Sequence, residues 1–133
     1  MSEPLGPGRS RAPGGLPRPR IEVGIDCRDP IGLAPFWLRA LGYTETAGLG
    51  DPYLDLLPPP GGVPVFLQRV GEAKVVKNRV HLDLFTADPE ALVADLLKAG
   101  ATLVGAPFGG QPWEWQVMAD PEGNEFCVCR ESR

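Results

Sequence analysis

His81 is the chain's one histidine, and it alternates with Asp83 and Phe85 along a stretch whose apolar partners are Val80, Leu82 and Leu84. An earlier stretch of the same pattern carries Glu22 and Asp26. Asp26 and Asp83 could act as paired carboxylates, because repulsion between two close acids raises one pKa and yields a general base. The alternative is that they are bonded to a neighbouring arginine such as Arg79. Cys127 could be a nucleophile if His81 or a basic group lowered its pKa; acids nearby would instead leave it a small, inert packing residue. A single imidazole cannot build a 2-His-1-carboxylate iron site from one protomer. Trp113 and Trp115 share strand parity, as do Glu114 and Gln116, so one pair lines a cavity and the other lies outside. Two aromatic rings at a cavity mouth would suit a flat ligand, and the alternative is that they are core. Gly61-Gly62 and Gly109-Gly110 are followed by neither a lysine nor a helix start, so neither reads as a phosphate cradle.

These side chains sit on a repeated frame. Asp29-Pro30, then Leu33 and an apolar run closing at Leu41-Gly42, recurs as Asp88-Pro89, then Leu92 and a run closing at Ala99-Gly100. An alternating strand precedes each Asp-Pro and short strands follow each glycine, so each copy reads βαβββ. In the first copy the pattern predicts strands over 21–27, 43–46, 53–57 and 63–70, and a helix over 33–41 with Pro35 in its first turn. The linker 71–77 crosses to the second copy. There strands are expected over 79–86, 102–104, 113–119 and 125–130, with Asp88 as N-cap, Pro89 at the first helical position and Leu92, Val93, Leu96 and Leu97 as the buried stripe. Asp120-Pro121-Glu122-Gly123 reads as a tight reversal. Units of roughly 55 residues bury too little apolar surface to stand alone, so the two copies, 21–70 and 78–130, are expected to share one domain spanning 21–130. Residues 1–20 are dominated by Gly, Pro, Arg and Ser and are expected to form a disordered leader.

Composition narrows the partners. A formal net charge of −4 argues against a nucleic-acid surface. Three cysteines, an odd count with no secretory context, read as reduced thiols in a cytoplasmic protein. No apolar run approaches the roughly 20 residues of a membrane span, and the start lacks the apolar core of a signal peptide.

Three segments carry a resemblance: Leu-Ala-Pro-Phe-Trp-Leu-Arg-Ala-Leu-Gly at 33–42, Arg-Val-His-Leu-Asp-Leu at 79–84 and Asp-Pro-Glu-Gly-Asn-Glu-Phe at 120–126. With the βαβββ repeat, the chain resembles the glyoxalase-like branch of the vicinal oxygen chelate superfamily, the glyoxalase, bleomycin-resistance and dioxygenase group. The resemblance implies an α+β fold in which two modules join into a partly closed, barrel-like mixed sheet, with helices outside and a ligand cavity between the modules. In that frame Ile21, Val23, Ile25, Val80, Leu82 and Leu84 pack on the helices. Glu22, Gly24, Asp26, His81, Asp83 and Phe85 then face inward, joined by Gln68 and by Glu125, Cys127 and Cys129.

Metal-dependent members of the group take ligands from the first and last strands of each module. Carried onto this chain, those positions are Glu22 and His81, each at the same distance before its Asp-Pro, with Gln68 the nearest donor on the fourth strand. Cys127 stands where relatives commonly carry a carboxylate. The resemblance thus implies a divalent ion (Zn²⁺, Ni²⁺, Mn²⁺ or Mg²⁺) on His81, Glu22 and Gln68, the alternative for His81 being a cavity-wall imidazole bonded to Asp83 or Gln68. The expected function is binding of a small organic molecule, with or without metal, by Gln68, His81, Asp26, Trp115, Phe85, Cys127 and Glu125. The alternatives are a metal-dependent lyase, isomerase or resistance enzyme in which Glu22 or Asp83 moves the proton, and a drug-sequestering binding protein with a cleft shared by two chains. A homodimer is implied; a ring-cleaving dioxygenase is not.

Overall fold

Asp29 and Asp88 open their helices in the same way. Each carboxylate accepts the backbone N–H three residues on, from Gly32 and from Ala91, both at 3.1 Å. The residue after each is a proline, whose missing N–H would have had no partner in a first turn. The repeated Asp-Pro is therefore one helix-starting device used twice. Asp88→Ala is expected to lower the unfolding free energy by about 1 kcal/mol in urea denaturation. An unchanged midpoint would show that the cap contributes nothing.

The computed structural model describes residues 20–131, and the expected leader lies outside them apart from Arg20. In chain order the elements are β1 (Val23–Cys27), α1 (Pro30–Leu41), β2 (Glu45–Ala47), β3 (Tyr53–Leu57), β4 (Val65–Arg69), β5 (Leu82–Thr86), α2 (Pro89–Lys98), β6 (Thr102–Leu103), β7 (Trp115–Ala119) and β8 (Glu125–Arg130). They make two four-stranded mixed sheets in the orders β1-β4-β3-β2 and β5-β8-β7-β6. In each the first pair is parallel and the rest antiparallel. The two βαβββ modules and the α+β class are as expected, but the sheets remain separate and do not close into a barrel. β1 and β5 are each the edge of their own sheet.

Side chains make the junction between modules. Trp37 of α1 is buried edge-on against Phe126 of β8, with ring centroids 5.2 Å apart, and Phe36 packs on both rings. The Trp37 indole donates to the buried Asp120 carboxylate at 2.8 Å. Glu122 accepts the backbone N–H groups of Arg28 and Asp29 at 2.7 and 2.9 Å, and Asn124 donates to the Asp26 carbonyl at 3.1 Å. The reversal after β7 thus grips the end of β1 and the start of α1. On the outside, Arg39 of α1 chelates Asp95 of α2 through two hydrogen bonds, which holds the Asp95 carboxyl below the usual carboxylate range.

Several local expectations shift for identifiable reasons. The first helix starts at Pro30, not Leu33, because Asp29 caps it; Pro35 therefore lies inside the helix, on its exposed side. The strands at 21–27 and 79–86 begin only at Val23 and Leu82. Ile21 and Val80 precede the pleat and remain exposed instead of packing on helices. Leu97 is also exposed, because α2 buries Leu96 with Leu92 and Val93 beside it, and the next residue has already turned away.

Candidate functional site

Register builds the site as two rows across one sheet. In β5, β8 and β7, Asp83 lies beside Cys127 and Cys127 beside Val117; one step on, Phe85 lies beside Cys129 and Cys129 beside Trp115. Alternate residues share a face, so these six side chains point away from α2, while Met118, Phe126 and Val128 fill the core under it. The open face carries a cavity of about 680 Å³ lined by both rows and by His81, Phe108, Glu114 and Glu125 among others. That volume suits a small organic ligand.

One wall is aromatic. Phe108, in the loop after β6, stacks on Trp115 at 5.0 Å between centroids and 14° between planes, and the Phe108 N–H donates to the Trp115 carbonyl at 2.9 Å. Gly109 allows that fold-back: its φ is +100°, and a Cβ there would lie 2.6 Å from the Glu114 side chain. The opposite wall is polar. His81 Nδ1 and Asp83 Oδ1 are 2.9 Å apart, with both side chains under half exposed. A carboxylate can only accept, so His81 Nδ1–H donates to Asp83. Glu125 pairs with Lys77, and Arg130 with Glu90. Among the described residues Glu114 and Glu131 have no such cationic partner, which leaves the cavity acidic.

The thiols are held protonated. Burial first, then the charge and hydrogen bond of Asp83, raise the Cys127 pKa. Burial and Asp83 push Cys129 up to about 11. Cys27, under α1, is likewise raised to about 11 by burial and by Glu122. Although a His81 nitrogen lies within 4.8 Å of the Cys127 thiol, burial and the adjacent Asp83 oppose its activation as a nucleophile. Because these folded-state values lie above the unfolded ones, the stability they contribute is fully present below about pH 9 and is lost as pH rises toward about 11. The melting temperature is expected to fall across that window, more than in a Cys27→Ala, Cys129→Ala double variant. Parallel pH profiles would contradict this.

The expected site residues divide between two places. His81, Asp83, Phe85, Trp115, Glu125 and Cys127 line the large cavity. Asp26 instead lines a smaller hollow of about 270 Å³ between the modules, which His81 and Glu125 also reach. Asp26 and Asp83 therefore line different cavities. Gln68 lies beside Asp26 on β4, and Glu22, before β1, pairs with Arg20. Module one has little room on its equivalent face, because the Phe66 ring lies over Gly24 and meets Tyr53 edge-on at 5.8 Å. The main cavity thus belongs to module two and its linker, not to a cleft shared by both sheets.

The implied metal set fares differently from its neighbours. Glu22 lies just before β1 and His81 just before β5, the edge strands of the two sheets, and Gln68 lies on β4. Among the described residues, the His, Cys, Asp and Glu side chains that do gather are His81, Asp83 and Cys127, with one donor atom from each within 4.8 Å of the others. Phe108, Glu114 and Lys77 were not expected in the site. Phe108 left one signal, a lone aromatic in a Gly- and Pro-rich loop. Glu114 was placed opposite Trp115 by parity, but β7 begins only at Trp115, so alternation does not extend to it.

A family model described as a glyoxalase-like domain matches residues 22–129. No curated protein matches the chain. Among solved structures, the fosfomycin resistance protein FosX from Mesorhizobium loti superposes with a TM-score of 0.65 at 14% identity, over 84% of this chain and 91% of that one. A glyoxalase/bleomycin resistance protein from Albidiferax ferrireducens T118 gives 0.63 at 19% identity, over 84% and 97%. A glyoxalase/bleomycin resistance protein/dioxygenase family enzyme from Burkholderia phytofirmans PsJN gives 0.59 at 22%, over 82% and 95%. At these identities the likeness is one of fold.

Proposed function

The chain belongs to the glyoxalase-like domain family, and on that premise we propose that it binds a small organic molecule on the open sheet face of its second module. The supporting observation is the 680 Å³ cavity, in which the Phe108–Trp115 stack faces an acidic wall. Such a site favours a ligand with a flat unsaturated body and a cationic or hydrogen-donating end. The indole offers an aromatic face, and the carboxylates offer acceptors in a partly desolvated setting. Thioflavin T, a planar aromatic cation, is the probe. It is expected to bind with one-to-one stoichiometry and about tenfold or more tighter than the anionic dye anilinonaphthalene sulfonate, a preference of about 1.4 kcal/mol. Equal affinity for both dyes, or no saturable binding, would sink the reading.

A second reading, a metal-assisted lyase or isomerase, is supported by the gathering of His81, Asp83 and Cys127 at the cavity wall. There a bound ion would supply Lewis acidity to vicinal oxygens of a substrate, while Phe85 and Trp115 orient the molecule and exclude water. A homodimer belongs to the same proposal; exposed Val75, Val76 and Val80 give such an association apolar surface to bury. No helix among the described residues is long and apolar enough to cross a membrane.

A further inference from the structure

We propose that the cationic end this cavity takes is a planar, delocalised one, a guanidinium or amidinium, seated on Trp115 and paired with Glu131. The inference rests on the reading that the open face of module two binds an organic ligand, and it names the class. The chain already holds one guanidinium in this way. Beside the cavity, Arg130 sets its guanidinium carbon 5.5 Å from the centre of the Trp113 ring. Its Nε donates to the Trp113 carbonyl at 2.9 Å, and an outer nitrogen pairs with Glu90. An indole face, an acceptor and a carboxylate together hold that flat cation.

Two residues further on, the same parts come together, with no arginine bound to them among the described residues. Trp115 opposes Cys129 across β7 and β8. Glu131 follows Cys129 by two residues and so keeps its side of the sheet. Its N–H donates to the Thr86 carbonyl at 2.9 Å, which carries the ladder that far. Glu131 is therefore the diagonal neighbour of Trp115, about 7–8 Å away across the strands, a span that long side chains cover. Both line the cavity. Trp115 is 38% exposed and Phe108, stacked on it, 48%, so ring surface is open to a ligand.

This geometry selects the cation. A flat cation can lie on an indole and present two parallel N–H groups to a carboxylate, whereas an ammonium is a strongly hydrated point charge that cannot pair in this forked way. The 680 Å³ cavity exceeds what such a head group fills, so the class is a larger molecule with an amidinium or guanidinium at one end.

The experiment is titration of the full ¹⁵N-labelled chain at neutral pH with benzamidine, benzylamine and benzamide in turn, read at the Trp115 indole signal. The three share a phenyl ring and differ in the head: a planar cation, a point-charge cation and a planar neutral group. Benzamidine is expected to bind about fivefold or more tighter than either of the others, the worth of one well-formed carboxylate pair in a partly exposed site. Glu131→Gln removes that preference. Glu45→Gln, which changes the net charge equally but lies on β2 of module one, leaves it. The inference is overturned if benzylamine or benzamide binds the wild-type chain as tightly as benzamidine, or if the preference survives Glu131→Gln. The wild-type comparison decides the case even where a variant folds poorly. A thioflavin T titration of the same sample separates the two failures. Saturable dye binding without a benzamidine preference removes this inference and keeps the organic-ligand reading; loss of saturable binding for dye and probes alike removes both.

Discussion

Asp120→Ala is expected to lower the unfolding free energy by about 3–5 kcal/mol, the range for removing one member of a buried charged network. The side chain is 3% exposed and serves four donors: the Trp37 indole, the backbone N–H groups of Glu122 and Asn124, and the Asn124 amide. Its removal leaves Trp37, itself 1% exposed, with a buried and unpaired N–H. It also frees the turn whose Glu122 and Asn124 hold β1 and the start of α1. The loss should exceed that of Trp37→Phe, which removes one donor and keeps the rings packed. A double-mutant cycle in urea should give a coupling between the two positions of about 1 kcal/mol or more. If Asp120→Ala unfolds within about 1 kcal/mol of the parent, near the average for any substitution, the junction is held by packing alone.

Trp115→Ala is expected to weaken thioflavin T binding by about 10–100-fold, or about 1.4–2.8 kcal/mol, as for an aromatic anchor in a desolvated pocket. Two losses combine: the ring a ligand would lie against, and the support of Phe108, which stacks on it. Trp115→Phe should recover most of the affinity, since it keeps a flat face. Tyr53→Ala, on the corresponding face of module one, should leave binding unaltered although Tyr53 is also an exposed aromatic. Equal losses at Trp115 and Tyr53 would indicate dye adsorption to exposed rings without a defined site.

The frame was legible where local chemistry and alternation agree. β3 at Tyr53–Leu57 and β8 at Glu125–Arg130 match the expected bounds because Pro- or Gly-rich segments adjoin clean alternation. Both helix starts trace to Asp-Pro, although the first helix begins at Pro30 and not Leu33, which puts Pro35 beyond its first turn. The face carrying Asp83, Phe85, Cys127 and Cys129 also followed from parity.

What alternation cannot convey is which face stays uncovered. Parity turns Gly24 inward, yet the space over it is filled by the Phe66 ring. The larger cavity therefore opens on one module. Phe108 left only a weak signal for another reason: a loop residue has no periodicity, and its partner Trp115 is met only through the fold-back at Gly109.

The account turns on the open face of β5, β8 and β7 being where a ligand sits. Amide and indole chemical shifts of ¹⁵N-labelled protein, followed during a thioflavin T titration, test this most directly. The expected perturbations centre on Asp83, Phe85, Trp115, Cys127 and Cys129, with the Trp115 indole signal moving most and Glu22, Asp26 and Gln68 still. Perturbations centred on Asp26 and Gln68, with the Trp115 indole unmoved, would contradict it and return the site to the seam between the modules.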